Sequence, residues 1–258
     1  MMLERIDLDK LTSSKRLTRY GSAYRWDADT VVKTGDNVFF AEAEMMRFIT
    51  ENTTIPIPAL HHGYLDDDTN QYVLVMDYVE GETLDAVWED YNEDEQEEVI
   101  AQLRDYMAQL RQFKGTFIGS IDGTCCNDPY FSDGLGGYGP FPAENEFNEG
   151  VVEAMRKDRP EAFVEYASDL WMSSMRGHES ILTHNDFEPR NILVEGTEVV
   201  AILDWENAGY YPEYWEYCKA MRRPDWTNPF TASRAVDRIL KPYPRELSVV
   251  WSCNEALY

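Results

Sequence analysis

Three oxygen-bearing side chains set the chemistry of this chain: Asp186, Asn191 five residues later, and Asp204 beyond a further short stretch. They belong to His184-Asn185-Asp186-Phe187-Glu188-Pro189-Arg190-Asn191 and to Asp204-Trp205-Glu206. Carboxylate and amide oxygens are the hard donors that Mg²⁺ takes, usually with phosphate oxygens and water completing its octahedron. A carboxylate left free of metal can orient a hydroxyl and receive its proton. Taken singly each residue is ordinary, since Asp forms turns and Asn caps helices. As a spaced set they point to phosphoryl transfer, with Asp186 as base and Asn191 and Asp204 as metal-binding side chains.

A hairpin must position them. Ile192-Leu193-Val194 and Val199-Val200-Ala201-Ile202-Leu203 are β-rich runs separated by the turn-prone Glu195-Gly196-Thr197. In an antiparallel pair the residue entering the first strand lies beside the residue leaving the second. Asn191 and Asp204 are therefore expected at one end, with Asp186 on the loop that feeds it.

This ordered pattern resembles the aminoglycoside phosphotransferase and choline kinase family of protein-kinase-like small-molecule kinases. The family pattern runs His-Gly-Asp, four residues, Asn, then Asp-Trp or Asp-Phe and Glu after a hairpin. Asn185 stands where Gly is usual. Asn tolerates left-handed backbone better than most residues, so the loop is expected to keep its shape. Tyr210-Tyr211-Pro212-Glu213-Tyr214-Trp215-Glu216-Tyr217 resembles a branch found widely in fungi.

The resemblance implies an α+β, bilobal fold. Residues 1–80 would form a nucleotide-binding lobe of antiparallel sheet plus helix, and residues 81–258 a largely helical lobe for catalysis and acceptor binding. It implies Mg²⁺-dependent transfer of the γ-phosphoryl group of ATP to a small-molecule hydroxyl, on acceptors that in the family include cationic aminoglycosides and choline. His184 would then support the loop rather than accept the phosphoryl group.

Other segments are tested against this frame. Asp29-Thr30-Val31-Val32-Lys33 is a β-branched run ending in a lysine, the candidate phosphate clamp. The following residues 39–49 carry Met45, Met46 and Ile49 at helical spacing, and Glu42 or Glu44 could brace Lys33. Two apart, these glutamates cannot share a face, and the family's apolar pattern favours Glu42. Gln71-Tyr72-Val73-Leu74-Val75-Met76 reads as a buried strand broken at Gly81. By resemblance this is the interlobe hinge, where Met76 lines the adenine pocket and backbone groups from Asp77 to Val79 bind its edge. The phosphate loop is poor, with a single glycine in Arg19-Tyr20-Gly21-Ser22-Ala23-Tyr24. Gly134, Gly136, Gly137 and Gly139 are followed by no Lys-Ser or Lys-Thr pair, so they suggest a mobile surface loop rather than a P-loop.

Further on, Val99, Ile100, Leu103, Tyr106, Met107 and Leu110 make a helical stripe behind the N-cap Asn92. Residues 114–150 read as an irregular insertion suited to covering an acceptor pocket. Phe163, Val164, Ala167, Leu170, Trp171 and Met175 suggest another packed helix. Pro212 is expected to open a helix carrying Glu213 and Glu216 near Asp204. With Glu206, these are the candidate acceptor-binding carboxylates, since ion pairing and aromatic contacts suit an amine.

Composition narrows the class. A formal charge of −25 over 258 residues argues against broad binding to nucleic acid or anionic membrane. The N-terminus lacks a basic segment and apolar core, no apolar run reaches membrane-span length, and a cytoplasmic protein is expected. The four cysteines show no zinc or redox spacing, so reduced thiols are expected. A protein kinase is the weaker alternative, because Asp-Phe-Gly and Ala-Pro-Glu are missing. A nucleotide-binding regulatory protein without catalysis is the other.

Overall fold

The computed structural model describes residues 6–13, 15–17, 22–131, 138–221 and 227–254. Tyr20 and Gly21 of the glycine-poor segment, and Gly134, Gly136 and Gly137, lie outside them.

The N-terminal part is an antiparallel sheet of β1 (Lys15–Arg16), β2 (Ala23–Arg25), β3 (Thr30–Thr34), β4 (Leu60–Leu65) and β5 (Tyr72–Asp77), in the order β1-β2-β3-β5-β4. Helix α1 (Phe40–Asn52) connects β3 to β4. Strand alternation divides the side chains of β3 and β5 between two cores. Val31, Leu74 and Met76 join the main core, while Val32, Val73 and Val75 form a second cluster with Leu11. Lys33 falls on the Val31 side, paired in register with Leu74. In α1 the helix formers Ala41, Glu42, Ala43, Met45 and Met46 follow one another. Positions 42, 45, 46 and 49 share one buried stripe, so Glu42 faces inward with Met45, Met46 and Ile49. Glu44 lies off that stripe and pairs with Arg47 instead.

After Gly81 comes β6 (Glu82–Thr83), then α2 (Leu84–Val87) and α3 (Glu93–Leu110). Asn92 and Glu95 form a capping box at the start of α3, which buries Val99, Ile100, Leu103, Met107 and Leu110. The insertion is less irregular than expected, since α4 (Glu144–Asp158) begins inside residues 114–150. Next are α5 (Glu161–Ser174), β7 (Ser180–Thr183), β8 (Ile192–Glu195), β9 (Glu198–Ile202) and β10 (Gly209–Pro212). The β8–β9 hairpin turns at Gly196, and β6 extends it to three strands. The expected helix at Pro212 is corrected: Pro212 closes β10 opposite Ser180, and α6 (Trp215–Ala220) starts three residues later. A strand end tolerates proline because its missing N–H interrupts little of the ladder. The chain finishes with α7 (Pro229–Ala232), α8 (Ala235–Ile239) and α9 (Pro244–Asn254). Trp88, Trp171, Trp205 and Trp215 are among the largest fully buried side chains of this mostly helical remainder.

Segment 118–128 docks on β10 through reciprocal bonds between Gly119 and Tyr210, 3.0 and 2.8 Å. A Cβ on Gly209 would stand 2.6 Å from the Gly119 carbonyl oxygen, so glycine permits this approach. The docking carries Asp128 to the 184–191 loop and Asn127 to the Glu206 carbonyl.

Candidate active site

His184, entering the loop from β7, is fully buried. Its Nε2 donates to the Leu203 carbonyl at 2.9 Å, which leaves Nδ1 to accept the Asp186 N–H at 3.2 Å. The ring stands edge-on to Trp205. Asn185 adopts φ 70°, in the left-handed region where glycine would be strain-free. Its Nδ2 donates to Asp128 Oδ2 at 2.8 Å and to the Asn207 carbonyl at 3.0 Å. Asp128 also accepts from Trp215 Nε1 and Lys219 Nζ, both at 2.9 Å.

Glu216 is corrected from acceptor binder to loop brace. It is 2% exposed, and its two carboxylate oxygens accept the N–H groups of His184 and Asn185 at 2.6 and 3.0 Å. Burial raises its carboxyl above the usual value, while His184 and the two backbone donors pull it back. Glu213 is also moved away from that role. Its carboxylate accepts from Tyr243 Oη at 2.5 Å and Lys241 Nζ at 3.5 Å, with Arg111 3.9 Å away. The helix expected to carry it toward Asp204 is replaced by a strand and turn, so it is held by the C-terminal segment.

Asp186 turns its carboxylate outward. Asn191 Nδ2 donates to its Oδ2 at 2.7 Å and to its carbonyl at 2.9 Å. Arg190 Nη2 stands 3.1 Å from each carboxylate oxygen. Pro189 opens a short 3₁₀ turn over Pro189–Asn191 that sets the spacing of these side chains.

Across the cleft, Lys33 Nζ lies 2.9 Å from Glu42 Oε1, 2.6 Å from Asp204 Oδ1 and 2.7 Å from Glu206 Oε2. The turn after Asp204 brings Glu206, a candidate acceptor carboxylate, into the lysine cluster at the cavity wall. Asp204 sits at φ 66° and ψ 62°, a backbone conformation uncommon for any residue with a Cβ. Leu203 N–H bonds the Asn191 carbonyl at 2.8 Å, so the hairpin ends meet as expected. Burial alone would lower the Lys33 ammonium, yet Glu42, Asp204 and Glu206 hold it above its usual value. Burial pushes Glu42 up to about 7, with Asp204 and Glu206 adding to it and Lys33 opposing. One ammonium facing three carboxylates leaves an excess of negative charge, and buried Glu42 Oε2 has no hydrogen-bond partner among the described residues.

A cavity of 470 Å³ is lined by Lys33, Glu42, Asp204 and Glu206 together with Val31, Met76, Val79 and Asn191; Asp186 lies beside Asn191 and is not part of its lining. The N–H groups of Asp77 and Tyr78 are already bonded, to Ala59 and Asp29 carbonyls at 3.0 and 2.7 Å. A second cavity, 540 Å³ beside Trp26, His61 and Tyr64 on the other face of the sheet, contains none of the cluster. Asp128 and Lys219 belong to the site without standing in the spaced motif. Lys219 follows Glu216 by one helical turn, a weak signal, while Asp128 has no sequence link to Asn185.

An antiparallel sheet over a helical remainder, with a lysine–carboxylate cleft between, defines a protein-kinase-like phosphotransferase fold. The apo form of a thermostable mutant of aminoglycoside phosphotransferase APH(4)-Ia superposes with TM-score 0.63 at 17% identity, over 95% of this chain and 86% of that one. The GDP complex of aminoglycoside 2'-phosphotransferase-IIIa gives 0.61 at 14% identity, over 95% and 83%. The streptomycin–ATP ternary complex of APH(2")-IIa gives 0.56 at 15%, over 99% and 97%. No curated protein matches the sequence. Residues 34–245 match the profile of the phosphotransferase enzyme family, and the chain belongs to that family. Among the described residues, no helix is long and apolar enough to cross a membrane.

Proposed function

We propose that this protein transfers the γ-phosphoryl group of ATP to a hydroxyl of a small molecule, in a Mg²⁺-dependent reaction. The observation that carries this reading is the 2.6 Å contact between Lys33 and Asp204, which joins the two halves of a phosphate site from residues 171 apart. Residues up to about 80 would form the nucleotide lobe and the remainder the acceptor lobe. Adenine would enter beside Met76, with its edge bound by the Asp77 carbonyl and the Val79 N–H. Lys33, braced by Glu42, would align the α- and β-phosphates.

The donor set fits a divalent cation, because Asn191, Asp204 and Glu206 all line the cavity with hard oxygens and the carboxylates around Lys33 outnumber its ammonium. Asn191, Asp204 and Glu206 would hold it. Bound Mg²⁺ supplies neutralising charge at phosphate oxygens. Asp186 would orient the acceptor hydroxyl and take its proton, while Asn191 keeps the Asp186 carboxylate in place. Selection of a cationic acceptor would not come from Glu213 or Glu216, which are engaged inside the fold. The free thiols Cys126, Cys218 and Cys253 support a reducing compartment, and we place the reaction in the cytoplasm.

The test is Mg²⁺-dependent ADP release from ATP across amino alcohols, aminoglycosides and sugars. An acceptor should stimulate release, and Asp186→Ala should lower that rate about 10²–10⁴-fold while still binding Mg-ATP. Equal turnover in the variant would defeat the mechanism.

A further inference from the structure

Arg190 has no part in the mechanism just described, yet its guanidinium occupies the base. Nη2 contacts both Asp186 oxygens at 3.1 Å, and Nη1 pairs with Glu188. A loop-stabilising ion pair would be the modest explanation, since exposed pairs of this kind contribute little. Three observations go further. Arg190 and Asn191 together take three of the about four lone-pair positions of the Asp186 carboxylate, and a departing Arg190 would open both oxygens to a hydroxyl. Among the described residues, Lys33 and Arg190 are the cations lining the cavity, and Lys33 is buried at the Glu42 end. The Arg190 side chain is 54% exposed, so it can turn without unpacking the core.

A phosphoryl group in flight spreads negative charge over three equatorial oxygens, and a planar guanidinium fork matches two of them. We propose that Arg190 is a catalytic residue that leaves Asp186 to hold the γ-phosphoryl group when a nucleoside triphosphate enters. This rests on the phosphotransferase reading above. The exchange couples substrate arrival to activation of the base, because the incoming anion draws the cation off the carboxylate. In the transfer step the acceptor oxygen–phosphorus bond forms and the bond from phosphorus to the β-phosphate bridging oxygen breaks. The electron pair leaves with ADP and the hydroxyl proton passes to the freed Asp186 oxygen.

The decisive measurement is nucleotide affinity in Mg²⁺, comparing AMP-PNP with ADP for wild type, Arg190→Ala and Arg190→Lys. Arg190→Ala should keep ADP affinity within about twofold, lose about tenfold or more in AMP-PNP affinity, and lower acceptor-dependent kcat about 10²–10³-fold. Arg190→Lys should recover part of the triphosphate preference, since it returns the charge without the fork. An unchanged AMP-PNP to ADP ratio in Arg190→Ala overturns the assignment alone. Parallel loss of both nucleotides in the two variants also overturns it, showing a loop brace. Wild type that binds neither nucleotide overturns the kinase reading and this assignment with it.

Discussion

Behind the 184–191 loop, Glu216 and Asp128 are buried carboxylates whose oxygens meet backbone N–H groups, an asparagine amide, an indole and the Lys219 ammonium. In front of it, Lys33 is the one cation among the described residues that ion-pairs with Glu42, Asp204 and Glu206. The same residue types are used to different ends. At the back every carboxylate named has donors at hydrogen-bond distance and serves to hold the loop, although the buried Asn185 Oδ1 beside them has no partner among the described residues. At the front the negative charge exceeds its local partner, and burial raises Glu42 and Glu206 further.

The back is most sharply tested by Glu216→Ala. Two buried N–H groups would lose their acceptor, at about 1–3 kcal/mol each, so denaturant unfolding should show a loss of about 2–6 kcal/mol. A loss below about 1 kcal/mol would mean that Glu216 does not brace the loop. Asp204→Asn tests the front. Removing one of three crowded carboxylates should leave the unliganded protein within about 1 kcal/mol of wild type. The stabilisation by Mg-ATP, about 2.7 kcal/mol at a hundredfold excess over Kd, should disappear. A wild-type thermal shift with Mg-ATP would remove Asp204 from the phosphate site. The smallest effect is expected from Asn185→Gly. It relieves a left-handed backbone but gives up the bonds to Asp128 and Asn207, terms of about 1 kcal/mol each that oppose one another. Unfolding midpoints and kcat should both stay close to wild type. A large drop in kcat with stability unchanged would show that the Asp128 clamp positions Asp186.

Much of the fold and part of the site could be read from residue spacing. The hairpin that brings Asn191 to Asp204 follows from two β-branched runs and a turn, an argument confined to 14 consecutive residues. Helix α3 announces itself through Asn92, Glu95 and its apolar stripe. The choice of Glu42 over Glu44 rests on resemblance to the family's apolar pattern; in the structure Glu42 shares the buried face with Met45, Met46 and Ile49. Pro212 misled the reading, since the same residue opens helices and closes strands, and the pairing of β10 with β7 decided between them.

The amino-acid sequence by itself determined the types and order of the candidate groups, because Asp186, Asn191 and Asp204 lie on one loop and one hairpin whose local geometry has few alternatives. Only the tertiary structure decided where Glu206, Glu213 and Glu216 point, that Lys33 meets Asp204 across the cleft, and that Asp128 reaches Asn185. Each of those contacts joins elements distant along the chain or depends on which face of an element is buried. Backbone direction and packing set such contacts, and residue spacing carries no information about either.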